Sequence, residues 1–497
     1  MAAAAIAAVI LALTSGTGVA LWQARRAERR FADVRQLANT FLFDFENSIH
    51  NLSGATTARL LVINTASEYL NRLAAEAGGD RQLRRELADA YKKLADIQGE
   101  YRSANIGQFQ QAVASYQKAL ALRDSLGDER SVDPKVQAAY LSNLTALAAV
   151  ERFAGNPANG DRLRSKAVGL ADQWLRSSAP DGDLLGAAAL VYNDLASAER
   201  LREEFPAARA SAGRNVELAK QAYALDSKNA ARLQAIATAH LGAGYVELDA
   251  GQYAGAIEEF QQGNRLLDQL LTDDPRNAAL RRQRMTFVRQ IGDATEWLAR
   301  RKKQGKQSDA LPFFEQAYRI GSELAAEDPT NDGLQTALAD VGQSYGSLLQ
   351  MMGRPAEALP LLTRGMDYYS RHLKEVPSDT NAAFNLAIMR VWTSDTRRDL
   401  HDLKGALEES KKADEIWDRL LKMRPGTYRY LNQKADNLNT MGNLLAQMGD
   451  IEGARRCLRA GLDIAERLPK QDASYSTTVV VNELRKSEEK LSAVRVR

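Results

Sequence analysis

Cysteine is nearly missing from the 497 residues: Cys457 stands alone, so no internal disulfide framework can hold the chain together. Histidine is scarce too. His50, His240, His372 and His401 are scattered, no two lie at helical ligand spacing, and with a single cysteine they make no zinc site. An excess of charge is also absent, with 66 basic against 63 acidic residues, so nothing marks a nucleic-acid surface. Only 12 prolines interrupt a chain rich in alanine and leucine, which leaves room for long helices. No motif sets a nucleophile beside a base, and acid pairs such as Glu258-Glu259 and Glu408-Glu409 are sequence neighbours on different helix faces. Neither an enzyme nor a cofactor is expected.

What the chain does have is a ladder. Ala310, Ala358, Ala406 and Ala454 follow one another at intervals of 48 residues, and Ala256 precedes Ala310 by 54. Nineteen residues after Ala256, Ala310, Ala358 and Ala406 come Pro275, Pro329, Pro377 and Pro425. Four and seven residues beyond each alanine the side chains stay apolar or small: Phe314 and Ala317, Leu362 and Gly365, Leu458 and Gly461. That is one face of a helix, which the proline then stops. Gly353 and Gly449, five residues upstream of their alanines, mark a turn; Gly346 and Gly442, seven earlier, mark a close approach on a preceding helix. Fixed-period recurrence of this kind signals stacked helix pairs.

In order and residue type this pattern resembles the tetratricopeptide repeat, whose unit is 34 residues. Gly346, Gly353, Ala358, Leu362, Gly365 and Pro377 follow it in one pair; Gly442, Gly449, Ala454, Leu458 and Gly461 follow it in another. The departure is length. Each helix gains about seven residues, or ~10 Å, an increment that turns the apolar face by only ~20°. The expected fold is therefore all-α: a right-handed α-solenoid of tetratricopeptide-like pairs with long helices and a period of 48, preceded by a single transmembrane helix.

Met1 to Trp22 has no charged side chain, and 22 helical residues reach about 33 Å. Trp22 suits a membrane interface, and Arg25, Arg26, Arg29 and Arg30 follow. The reading is a membrane anchor. A cleaved leader, cut after Gly18-Val19-Ala20, lacks its basic n-region, and a buried alanine-rich helix is the third reading. The arginines would keep the array cytoplasmic.

Residues 24–51 form an amphipathic stripe through Phe31, Val34, Leu37, Phe41, Phe45 and Ile49, and a second helix runs to about Ala77, stopped at Gly78-Gly79-Asp80. From about Ala3 to Leu126 the chain resembles the region after the membrane span of bacterial receptor-like serine/threonine protein kinases, notably WQARRAERRFADVRQLANTFLFDFENSIHNL and GQFQQAVASYQKALALRDSL. The resemblance implies an extracytoplasmic array, against the arginines, and a kinase domain in cis or trans. No kinase signature occurs in the chain itself. Gly242-Ala243-Gly244 lacks the third glycine, His401-Asp402 lacks the intervening arginine, and Asp44-Phe45-Glu46 lacks the glycine.

The ladder extends backwards from Ala256 to Ala208 and Ala112, with EYRSANI inserted after Gly99. The pair between them, about Asp133 to Ser178, reads as irregular, its turn lengthened by Gly155-Asn156-Pro157-Ala158-Asn159-Gly160. The six extra residues before Ala310 fall in Arg300-Arg301-Lys302-Lys303-Gln304-Gly305-Lys306, a basic solvated connection. Eight pairs result, closed by a capping helix from Ser474 to Val494, with Val479 to Val481 and Leu484 on the core side. The expected boundaries are 1–22 for the anchor, 23–79 for a juxtamembrane pair, 80–470 for the array and 471–497 for the cap. Cys457, on a second helix, is expected to be buried and inert.

Such an array binds proteins or peptides along its first helices. Carrying over family geometry, the outward positions are Asp340, Gln343, Ser344 and Ser347 in the sixth pair, and Asp436, Asn439, Thr440 and Asn443 in the eighth. Short amides and hydroxyls can bond a peptide backbone without selecting charge. The expected function is the non-catalytic sensor or scaffold half of a receptor-kinase system at the cell membrane; the alternative is an assembly scaffold unrelated to kinases.

Overall fold

A computed structural model describes residues 56–76, 78, 80–99, 108–177, 179, 181–468 and 477–494. Met1 to Trp22, the 24–51 stripe and the EYRSANI insert lie outside the described residues. Among those described, no helix is long and apolar enough to cross a membrane.

Among the described residues every regular element is a helix. The order is α1 (Thr56–Glu76), α2 (Arg81–Gly99), α3 (Phe109–Leu126), α4 (Pro134–Phe153), α5 (Pro157–Ser177), α6 (Gly182–Leu201), α7 (Phe205–Ala224), α8 (Ala230–Asp249) and α9 (Tyr253–Asp273). Then come α10 (Ala278–Lys302), α11 (Leu311–Glu327), α12 (Asp332–Met351), α13 (Pro355–Glu375), α14 (Thr380–Asp399), α15 (Leu403–Met423), α16 (Tyr428–Gln447), α17 (Ile451–Ala465) and α18 (Thr477–Val494). From α2 to α17 they form eight successive pairs, an all-α solenoid. The chain divides into two compact units, Met1–Ala167 and Val168–Arg497.

The 48-residue period is a sum of four invariant parts. A 20-residue first helix, a three-residue turn, a 21-residue second helix and a four-residue connection recur in the sixth and seventh pairs. The alanine falls in the first turn of the second helix, except that Ala310 immediately precedes α11, and Ala112, Ala208, Ala256, Ala310, Ala358, Ala406 and Ala454 are all fully buried. No side chain larger than a methyl fits where two helix backbones approach. The proline acts one residue early: Asp274, Asp328, Val376 and Arg424, each preceding a proline, leave the helical region at φ between −126° and −138°. Two residues past the proline, Asn277, Asn331 and Asp379 accept the first backbone N–H groups of the next helix.

Between paired helices the middle turn residue is left-handed. Gly155, Gly251, Gly353 and Gly449 hold this place at φ 69–87°, and Glu203 and His401 hold it at 62° and 65° without being glycine. Gly346 and Gly442 do permit close approach: a Cβ on either would come within 2.8 Å of Leu362 or Leu458.

Three expectations need correction. The fourth-to-fifth helix turn is not lengthened, because Pro157 starts α5 and places Asn159 and Gly160 inside it. A proline costs nothing at a first helical position, where its missing N–H would be unpaired anyway. Gly160 then stands 48 residues after Ala112 and 48 before Ala208, its would-be Cβ 2.8 Å from the Ala148 carbonyl, so the ladder has no gap. The basic connection begins as helix, since α10 runs 25 residues and takes in Arg300, Arg301 and Lys302, while residues 303–306 stay outside it and exposed. Cations there meet the negative end of the helix dipole, and Arg300 and Arg301 lie 4.4 and 5.1 Å from the Trp297 ring centroid. Cys457 is only partly buried; desolvation raises its thiol pKa.

In the first unit, α1 supplies Ile63, Ala66, Leu70 and Leu73 to a core with Leu87, Tyr91 and Leu94 of α2. In the second, α18 lays Val480, Leu484 and Leu491 on Ala435, Leu458 and Ala465, covering an apolar face that would otherwise meet water.

Candidate functional site

First helices of consecutive pairs share one polar wall in the second unit. On α10, Arg289 and Asp293 face each other at 3.9 Å and keep 25% and 21% of their side-chain surfaces open. The Ser344 hydroxyl of α12 donates to Asp293, and Arg289 also feels Asp340 of α12 and Tyr245 of α8. Asp340 accepts from the Tyr369 hydroxyl at 2.5 Å and from the Asn385 amide of α14 at 3.2 Å. Four first helices thus converge on a connected set of charges and amides.

The wall is electrostatically tense. Desolvation pushes the Asp293 and Asp340 carboxyls up, and Arg289 only partly offsets this. Burial alone would lower Arg289, but Asp293 and Asp340 outweigh it and hold the guanidinium charged. Farther along, desolvation pushes Asp395 of α14 up to about 6 even though Arg398 is bonded to it at 2.6 Å. Polar ties also link first helices directly: Gln234 to Gln283 at 2.8 Å, and Gln350 to Asp399 at 2.9 Å.

The eight sequence-derived positions divide by pair. In the sixth, Asp340 and Ser344 belong to the wall just described, and Ser347 bonds back to the Ser344 carbonyl at 2.9 Å. Gln343 is partly exposed and makes no hydrogen bond among the described residues. In the eighth, Asn439 is buried, and Asn443 donates to Asn439 and to Ser487 of α18, both at 3.2 Å. Thr440 is partly buried on the same helix, and Asp436 is engaged as well. The closing helix therefore bonds the eighth set through Asn443, and apart from buried Asn439 the side chains of both sets are partly exposed.

Sequence reasoning missed Arg289, Asp293, Tyr369 and Asn385. The first two lie 54 residues before Gln343 and Ser347, the interval already seen between Ala256 and Ala310, so the same count would have found them. Tyr369 comes from a second helix and reaches the wall only through packing. The kinase-like fragments have structural roles: Gly244 lies inside α8 against the Phe260 ring, His401 is the left-handed turn residue, and Asp402 caps α15 through the Gly405 N–H at 2.9 Å. No three metal-ligating side chains cluster among the described residues.

Residues 435–468 match the tetratricopeptide repeat family, a 34-residue stretch spanning the end of α16 and all of α17. No curated protein sequence matches the chain. Among solved structures, aspartyl phosphate phosphatase F from Bacillus subtilis is 13% identical over 82% of this chain and 93% of its own, with a TM-score of 0.44. BtubC (BKLC) from P. vanneervenii is 16% identical over 54% of this chain and 95% of its own, with a TM-score of 0.40. YrrB, a TPR protein, is 21% identical over 49% of this chain and 90% of its own, with a TM-score of 0.25. The helix pairs make this chain an all-α helical-repeat protein, and its eighth pair is similar to a tetratricopeptide repeat.

Proposed function

We propose that the chain is a non-catalytic module that binds an extended segment of a partner protein along the wall formed by α10, α12 and α14. The observation that carries this reading is the sixth-pair wall: fixed polar groups, partly open to solvent, with Gln343 still unbonded beside them. Such groups can meet peptide N–H and C=O without first being ordered, which lowers the entropic cost of binding. A peptide library screened on the full chain tests it. The combined variant Asp293→Ala, Gln343→Ala and Ser347→Ala should lose at least tenfold in affinity for the selected peptides. Unchanged affinity in that variant, with binding instead abolished by Asn439→Ala and Asn443→Ala, would move the site elsewhere.

Two further elements of the reading rest on sequence. Met1 to Trp22 anchors the module in the cell membrane, and the module serves a receptor-type serine/threonine kinase supplied in cis or trans. A reporter fused at Arg497 decides which side of the membrane supplies the partner. Full recovery of the intact chain in the soluble fraction would remove the anchor from the proposal.

A further inference from the structure

A second site lies off that wall, among α7, α8 and α9. There a hollow of about 320 Å³ is lined by Ala212, Gly213, Val216 and Lys220 of α7, by His240, Ala243 and Val246 of α8, and by Glu259 and Gln262 of α9, among others. Its volume falls within the usual range for small-ligand pockets.

The repeat register shows what is small along the lining. At the place of Ala212 the later second helices carry Phe260, Phe314, Leu362 and Leu458, all buried, or Ser410, which is bonded to Ser394 and Asn437. At the place of Gly213 they carry Gln261, Glu315, Thr363, Lys411 and Arg459. In α7 both positions are cut back together, and a Cβ added to Gly213 would meet no atom within 4 Å. Both small residues border the hollow.

The polar groups on the lining are specific. His240 is 4% exposed, and its Nδ1 is held by Glu259 at 2.7 Å, which leaves Nε2 as the ring atom without a partner. Glu247 at the rim is already matched by Arg209 at 2.8 Å. Lys220 is exposed and has no acidic partner among the described residues. At its place the later second helices carry Asp268, Ser322, Ser370, Asp418 and Glu466, so the cation is peculiar to this pair. Both carboxylates on the lining are satisfied, and one cation is not.

We propose that this hollow binds a carboxylate carrying an aromatic or branched aliphatic group. The apolar group rests on Ala212, Val216, Ala243 and Val246, and the carboxylate meets Lys220 at the rim. That chemistry is shared by a free hydrophobic acid and by the C-terminal residue of a peptide. The site uses none of the residues of the peptide wall, and the two proposals stand or fall separately.

The test uses the full chain with 3-phenylpropionate, its amide, and N-acetyl-Gly-Gly-Phe with a free or an amidated terminus, followed by saturation-transfer NMR and equilibrium dialysis. Both free acids, or the free-terminus peptide alone, should bind at least tenfold tighter than the amides; the second result assigns the site to a chain terminus. Gly213→Leu fills the hollow at an ordinary helical position, so it should fold as the parent does and lose binding more than tenfold. Lys220→Glu should weaken binding several-fold and abolish the preference for the acid. Equal binding of acid and amide, no binding of any probe, or undiminished binding by a folded Gly213→Leu chain overturns the assignment.

Discussion

The sixth and eighth helix pairs carry the same outward register and meet different fates. Asp340, Gln343, Ser344 and Ser347 stand 96 residues before Asp436, Asn439, Thr440 and Asn443. Behind both sets the packing is the same, with Gly346 against Leu362 and Gly442 against Leu458. The sixth set is followed by another pair and contributes to a wall of first helices. The eighth is followed by α18, whose Ser487 takes the Asn443 amide. The hydrogen-bond partners of a repeat position therefore depend on its successor in the array.

The largest expected effect comes from removing that successor's grip. Leu484 is fully buried, and its side chain would lie 2.8 Å from a Cβ on Gly461. Leu484→Ala should cost about 3 kcal/mol of stability in chemical denaturation. Hydrogen exchange should then rise across 436–443 and stay constant across 340–347. Persisting protection at 436–443 would show that α18 does not hold the eighth set in place.

A second difference separates the joints that follow the pairs. Most bury a leucine there, as with Leu270, Leu324 and Leu420, but the joint after the sixth pair has His372. Its Nε2 lies 3.1 Å from Asp379 and its Nδ1 3.5 Å from Asp332, and these two carboxylates push its pKa up to about 10. Burial works to raise both aspartates, yet His372 holds each below the usual carboxylate range, with Tyr368 helping at Asp332 and backbone N–H groups at Asp379. The histidine's contribution is complete below its unfolded pKa of about 6.5 and disappears as pH rises toward 10. The aspartates' contribution is present above about pH 4 and disappears in acid. Stability should thus fall by roughly 2 kcal/mol between pH 6.5 and 10, after allowing for solvent screening. His372→Leu, copying the other joints, should flatten that slope. A variant with the parent's pH profile would assign the slope to other groups.

The turns supply the smaller tests. Gly353→Ala in the sixth pair and Gly449→Ala in the eighth should each cost about 1 kcal/mol, since both backbones are left-handed. His401→Gly in the seventh should gain roughly 0.5 kcal/mol by relieving the same strain. Thermal melts of the three variants compare the pairs directly. Unequal losses at Gly353 and Gly449 would show that α18 also tightens the eighth turn.

Much of the architecture was legible in the residues. Small side chains at a 48-residue spacing, prolines nineteen residues on and turn glycines give strong local signals, because each rests on sterics that packing cannot override. Gly160 escaped notice since a glycine beside Pro157 and Asn159 looks like loop until the proline is recognised as a helix start. The α10 extension escaped because Arg300, Arg301 and Lys302 are as compatible with a solvated loop as with a helix C-terminus. The candidate site was legible in half: Asp340, Gln343, Ser344 and Ser347 follow from register, whereas Tyr369 and Asn385 join Asp340 from other helices.

The sequence alone determined a stack of eight long helix pairs, since steric rules at alanine, glycine and proline act within a few residues. Tertiary structure decided which neighbours each of two equivalent polar sets bonds, where the carboxylates of Asp293, Asp340 and Asp395 are desolvated, and that Ala212 and Gly213 border a hollow. Those outcomes depend on which surfaces meet across helices, and a periodic pattern records the spacing of side chains but not what comes to rest against them.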